Sequence, residues 1–193
     1  MDWILAALLG YALGAVPFGL LLALAMGQGD IRKIGSGNIG ATNVLRTGKK
    51  GLAAATLLLD LGKGLAAVLL AWRFLPDAAG FAALGAVLGH CFPVWLRFKG
   101  GKGVATLAGV CFGLAWQVGL AYALVWIGVL AVTRISSAGG MSAALAAPVA
   151  AALLGRMELV PVLAGLAVLV IWLHRANLAR LRAGTEPRIG GAK

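Results

Sequence analysis

The sequence predicts a single all-α integral membrane domain over residues 1–193, with seven transmembrane helices, several of them short or tilted, and glycine-rich loops at one membrane face. Three observations carry this. Hydrophobic residues make up 61% of the chain and charged ones only 12%, with a mean hydropathy of +0.95, outside the range of soluble domains. Apolar stretches at 3–26, 51–72, 79–96, 104–133, 138–155 and 159–173 leave only short polar segments between them, with no linker or low-complexity region. The basic residues gather in alternate polar segments, as the cytoplasmic bias of lysine and arginine requires.

The first stretch, 3–26, carries no charge and is long enough to cross about 30 Å of hydrocarbon at about 1.5 Å per residue. Asp2 stands where a signal peptide would be basic, so a retained span is expected. Spans at 51–72 and 79–96 follow. The stretch 104–133 is too long for one upright helix and short for two, and charge arbitrates. A hairpin turning near "WQVG" (116–119) gives spans 104–116 and 119–133. The segments 27–50, 97–102, 134–137 and 174–193 then share one side with 14 of the 17 basic residues; Lys63 lies within the second span, leaving only Arg73 and Arg156 opposite. A single span would move Arg134 and the basic tail across, against the bias. The N-terminus is therefore expected outside and the C-terminus in the cytoplasm. The last two spans, 138–155 and 159–173, turn at "GRME" (155–158) and are short enough to require tilt or partial insertion.

The net charge of +11 is that of a nucleic-acid binder, but here it is explained by cytoplasmic loops facing anionic headgroups, and no nucleic acid is expected. Cys91 and Cys111 lie in apolar stretches without paired spacing and read as packing residues. Cys91 beside His90 does not make a metal site, and neither metal nor cofactor is expected.

Four polar concentrations remain, all near the predicted cytoplasmic face. "GSGNIGATNVLRTGKK" (35–50) offers Gly35, Gly37 and Gly40 for close backbone approach, Ser36, Asn38, Thr42 and Asn43 as short hydrogen-bonding side chains, and Arg46 as a phosphate fork. The loop reads equally as an oxyanion nest or as a reentrant turn satisfying its own backbone. "KGGKG" (99–103) sets Lys99 and Lys102 around Gly100, Gly101 and Gly103 just before an apolar helix, so amide donors and positive charge converge at a helix N-terminus. It is not a nucleotide-binding P-loop, because Lys102 is followed by Gly103 and no strand precedes it. In "DLGKG" (60–64), Asp60 and Lys63 share a helix face and neutralise each other inside a span, where structural pairing outweighs direct catalysis. In the tail "HRANLARLRAGTEPR" (174–188), His174 and Asn177 share a helix face with Arg180 nearby, fitting either a lipid-binding helix or a pocket wall. Together the four favour an amphiphilic phosphate substrate.

"GSGNIGATNVLRTGKK", "GHCFPVWLRFKGGKGVAT" (89–106) and "HRANLARLRAGTE", in this order, closely resemble the bacterial membrane glycerol-3-phosphate acyltransferases that use acyl phosphate, the PlsY family, from about Tyr11 to Arg188. The resemblance implies a seven-helix enzyme of the bacterial inner membrane, active site to the cytoplasm. It would transfer a fatty acyl group from acyl phosphate to the 1-position hydroxyl of glycerol 3-phosphate, yielding lysophosphatidic acid and inorganic phosphate. By position, Ser36, Gly37 and Asn38 would hold the donor's phosphate and carbonyl, while Arg46, Lys102, His174 and Asn177 would hold glycerol phosphate and align its hydroxyl. Gly100, Gly101, Gly103 and Thr106 would shape the second loop, and His90, Lys99 and Arg180 would join the substrate-binding set. In "TRISSAGGMS" (133–142), Arg134 and Ser137 carry over, but Gly140 stands where a second serine is expected, with Ser136 and Ser142 as nearby substitutes.

The HxxxxD dyad of other glycerolipid acyltransferases is absent, since neither His90 nor His174 is followed by aspartate at that spacing. An acyl phosphate is an activated anhydride, so positioning and charge stabilisation suffice, with a donor phosphate oxygen taking the hydroxyl proton. Acyl chains would enter laterally from the bilayer past "FGLLLALAM" (18–26), and a soluble enzyme making acyl phosphate is a candidate partner. The main rival class is a small permease for organic phosphates, which predicts internal repeats and a polar midplane site; only Asp60 and Lys63 answer to that. A scaffold recruiting soluble enzymes leaves the glycine spacing unexplained.

Overall fold

A computed structural model describes residues 1–190; Lys193, counted above with the basic tail, lies outside the described residues. The first apolar run is not one helix. Pro17 has no amide hydrogen to continue a helix, and the chain breaks there into α1 (Asp2–Gly14) and α2 (Phe18–Ala25). The carbonyls freed by the break are met by side chains from elsewhere: Trp95 Nε1 donates to Ala15 O at 2.8 Å and Lys63 Nζ to Val16 O at 2.8 Å. This is how a broken helix is tolerated at membrane depth.

After α3 (Ala41–Val44), a single turn in the first loop, come α4 (Lys50–Phe74) and α5 (Ala79–Cys91). The stretch 104–133 is divided at Ala115, where φ is −158° and ψ 117°, into α6 (Val104–Leu114) and α7 (Trp116–Thr133). Then follow α8 (Ser136–Leu153), α9 (Val160–Leu173) and α10 (Arg175–Arg182). Among the described residues, five helical segments are long and apolar enough to cross a membrane, counting α1 with α2 as one. A sixth arises if α9 and α10, bent by 60° at His174, are taken together. The expected seven thus requires α6, of 11 residues, to count as well. At about 1.5 Å per residue such a helix covers only about half of a hydrocarbon core.

Small residues govern the packing. Gly10 and Gly14 of α1 meet Gly85 and Gly89 of α5, and a Cβ at any of the four would overlap a backbone carbonyl of the facing helix. Such close approach is the usual route to association where lipid removes the hydrophobic drive between helices. The α4 and α6 helices approach in the same way, with Gly64 against the Thr106 carbonyl. The buried core runs from Ala82, Ala86 and Val87 through Val110 and Cys111 to Leu163 and Val170. Outward-facing Leu8, Leu58, Leu124 and Val168 are each more than 60% exposed, the signature of a lipid-facing surface.

Candidate active site

The polar segments converge at one end of the bundle around a cavity of about 1180 Å³. A site for one drug-sized ligand occupies about 300–1,000 Å³, so there is room for two headgroups.

In the first loop Asp30 caps the turn at Ile31–Lys33, its Oδ1 accepting from Arg32 N at 3.0 Å, and its carboxylate pairs with the Arg32 guanidinium. That guanidinium holds the Asp30 carboxyl down to about 2. The loop then folds around buried Asn43. Its Oδ1 accepts from Ser36 N at 3.0 Å, Ser36 Oγ at 3.3 Å and Arg46 Nη1 at 3.2 Å, while Nδ2 donates to the Ile31 and Ile34 carbonyls. With donors and acceptor all engaged, Asn43 acts as the loop's internal brace rather than as an open ligand. Gly35, at φ +54°, comes so close to Asn43 and Arg46 that a Cβ would not fit. Asn38 Oδ1 accepts from Gly40 N at 2.8 Å, and the residue lines the cavity. Thr42 Oγ1 lies 2.9 Å from Ser136 Oγ, tying this loop to the start of α8. Gly37, at φ +68°, supports the turn from outside the cavity wall.

The second loop is zipped onto the end of α5: Gly100 N donates to Cys91 O and Gly101 N to His90 O, both at 3.0 Å. Gly103, at φ +83°, starts α6. These bends carry Lys102 inward, where its Nζ donates to Asn177 Oδ1. Burial pushes the Lys102 ammonium below its usual value, and Arg180, Arg46 and Arg175 act in the same direction against Glu186. Lys99 is exposed and does not line the cavity, and buried Thr106 sits behind the wall against α4.

From α8, Ser137 Oγ donates to Glu186 Oε1 at 2.6 Å. Gly140 is buried against the Val104 methyls, which would crowd any Cβ, so the space expected for a serine is filled by apolar packing. Arg134 is exposed and does not line the cavity, and its carbonyl accepts from Ile189 N at 2.7 Å. Just past α9, His174 Nδ1 lies 2.8 Å from Val170 O, so that nitrogen carries the proton and donates. Burial lowers the His174 imidazole to about 4, against the Val170 hydrogen bond.

Glu186 is the functional-site residue that sequence reasoning passed over. The tail turns at Gly184 and folds back, so that this carboxylate accepts from Ser137, Asn177 and Arg180, the last at 2.6 Å. Burial pushes the Glu186 carboxyl up, but those hydrogen bonds outweigh it and leave the group below its usual range. Its sequence signal is a lone acid among Arg175, Arg180, Arg182 and Arg188. The cavity thus presents cations, hydroxyls and amides. Among the described residues no three histidine, cysteine, aspartate or glutamate side chains form a ligand set for a metal.

Residues 4–184 match the family model described as glycerol-3-phosphate acyltransferase. A protein of that name from Novosphingobium aromaticivorans is 69% identical over 193 residues, covering 100% of this chain and 98% of the relative. Another from Erythrobacter litoralis is 65% identical, covering 98% and 96%. A crystal structure of PlsY (YgiH), an integral membrane glycerol 3-phosphate acyltransferase in its glycerol 3-phosphate form, superposes with a TM-score of 0.92 at 35% identity, over 98% of this chain and 96% of the other. Its lysophosphatidic acid form gives 0.89 at 34%, over 97% and 95%. The helical fold, the cationic cavity and these matches agree: the chain belongs to the glycerol-3-phosphate acyltransferase family.

Proposed function

We propose that this enzyme transfers a fatty acyl group from acyl phosphate to the 1-position hydroxyl of glycerol 3-phosphate, producing lysophosphatidic acid and inorganic phosphate, at the cytoplasmic face of a seven-span protein in a bacterial inner membrane. The observation that carries the reading is the convergence of Lys102, Arg46 and Arg180 with Ser36, Asn38 and His174 around one cavity, on a chain whose relatives bind glycerol 3-phosphate and its acylated product.

Asn177 takes one of the three Lys102 protons, so two remain for a phosphate oxygen. Arg46 adds a second cation at the rim. Ser36 and Asn38 line the part of the cavity wall that would receive the donor's carbonyl and phosphate. With Nδ1 donating to Val170, His174 offers Nε2 as an acceptor that orients the glycerol hydroxyl. A value of about 4 makes it a weak base at neutral pH, so orientation rather than proton abstraction is its role. The hydroxyl oxygen attacks the acyl carbonyl carbon, the bond from that carbon to the phosphate oxygen breaks, and the leaving phosphate takes the hydroxyl proton. Nothing else is consumed. Acyl phosphate is activated enough that alignment and charge stabilisation supply the rate.

The test is release of inorganic phosphate from palmitoyl phosphate by purified enzyme in detergent, with and without glycerol 3-phosphate, beside release of free CoA thiol from palmitoyl-CoA as alternative donor and Lys102→Ala as control. Release that requires the acceptor, spares the thioester and collapses in the variant is expected. Turnover of palmitoyl-CoA alone would reassign the donor, and silence with both donors would favour an organic-phosphate permease.

A further inference from the structure

The buried charges inside the bundle form a chain that ends at the second loop. Lys63 and Asp60 sit one turn apart on α4, with side chains each 3% exposed and Nζ 2.6 Å from Asp60 Oδ1. Lys63 is also engaged by the Val16 carbonyl. The same Asp60 oxygen lies 3.6 Å from His90 Nδ1, an ion-pair distance beyond a formed hydrogen bond, and that nitrogen has no hydrogen-bond partner among the described residues. The far side of the His90 ring bears on Gly101, where a Cβ would overlap Nε2, while the backbone of His90 accepts from Gly101 N. Asp60 and His90 both reach the cavity wall. A pair serving α4 alone would need neither the imidazole nor its contact with the loop that carries Lys102.

We infer that His90, oriented by Asp60, is a positioning residue that buttresses Gly101 and so sets where Lys102 meets the phosphate of glycerol 3-phosphate. It acts through the loop and does not touch the reacting atoms. The inference rests on the acceptor assignment above. Losing the ring lets the Gly100–Gly101 turn relax into the vacated space, and a shift of that size at a positioned cation weakens the acceptor without touching the donor.

Calorimetric titration with glycerol 3-phosphate in detergent reads this directly, because it needs no acyl donor; steady-state phosphate release gives the split between KM and kcat. His90→Ala is expected to weaken glycerol 3-phosphate by about tenfold and raise its KM equally, with kcat and the palmitoyl phosphate KM changed by less than about twofold. In Gly101→Ala the new Cβ needs the space of the ring, so adding His90→Ala should restore part of the lost affinity if ring and turn are in direct contact, while the KM-against-kcat split separates positioning from a merely structural role. Unchanged affinity in His90→Ala, or losses that simply multiply in the double variant, overturns the inference. Asp60→Asn keeps the shape of the wall and covers the case in which His90→Ala does not fold. It is expected to weaken the acceptor by about threefold, and full affinity in that folded variant overturns the inference equally. Wild-type enzyme that binds glycerol 3-phosphate yet releases no phosphate from palmitoyl phosphate would sink the donor assignment and leave this test standing. Absence of binding by the wild type overturns both.

Discussion

Replacing Glu186 by glutamine is the most informative single change at the site. The two carboxylate oxygens accept from three donors: Oε1 from Ser137 Oγ and Asn177 Nδ2, and Oε2 from Arg180 Nε. A glutamine fills the same space but presents one NH2 group. Turned toward Arg180, that group meets another donor. Turned the other way, it meets Asn177, whose own oxygen already accepts from Lys102. At least one charge-assisted hydrogen bond is lost in either orientation, worth about 1.5–3 kcal/mol. The Arg180 side chain is 40% exposed, which places the loss near the lower figure, about 1.5 kcal/mol. For a chain of this size that is a fall of roughly 3–6 °C in Tm, read by thermal unfolding in detergent. The pH dependence adds a sign. Because the folded-state value of Glu186 lies below its ordinary 4.5, its contribution is complete above 4.5 and is lost as pH falls through the lowered value. The gap between wild type and variant should therefore be constant from neutral pH down to about 5 and close below 4.5. Equal melting temperatures at neutral pH, or a gap that widens on acidification, would refute the reasoning.

Lys63→Met takes from Asp60 its ammonium partner and leaves Val16 O without its donor, and should cost about 3–5 kcal/mol in unfolding experiments, whereas Asp60→Leu added to it should recover most of the loss. Gly14→Ala drives a Cβ into the Ala86 carbonyl and should destabilise the α1–α5 pairing by about 1–3 kcal/mol, seen as a lower Tm and reduced monodispersity on size exclusion. Tyr122→Phe removes the 2.9 Å bond from Oη to Val104 O and should cost about 1 kcal/mol while leaving the glycerol 3-phosphate KM unchanged. With His174 held at about 4, the rate profile should show no His174-dependent break from about pH 5.5 to 8; a break there that disappears in His174→Ala would restore a general base.

Much of this architecture was legible because hydropathy and glycine punctuation are local signals. Polar segments 27–50 and 174–190 supply most of the cavity wall, and the break in 104–133 followed from length and charge, although it falls at Ala115 rather than within 116–119, which opens α7. Other features needed three dimensions. Pro17 is plain in the sequence, yet a hydropathy reading runs across it, because the cost of the break depends on whether Trp95 and Lys63 arrive to cover the carbonyls. Asn43 has the composition of a ligand, and only its five hydrogen bonds show it to be occupied. Glu186 was hidden for the opposite reason: an acid in a basic tail looks like solvated surface until the chain folds back on Ser137. The glycine pairs at 10 and 14 and at 85 and 89 carry a four-residue spacing that a search for helix contacts in lipid would have found.

The spacing of Asp60 and Lys63 also bears on how the chain enters the bilayer in the first place. Either charge alone at the centre of a helix costs about 2.5–3.5 kcal/mol at insertion. Placed one turn apart on α4, the two neutralise each other within a single segment, so the helix carries its own counter-ion and needs none from another span. The same ammonium donates to the Val16 carbonyl at the break in the first span. One lysine thus serves α4 from within, by answering Asp60, and the bundle from without, by joining α4 to the break between α1 and α2.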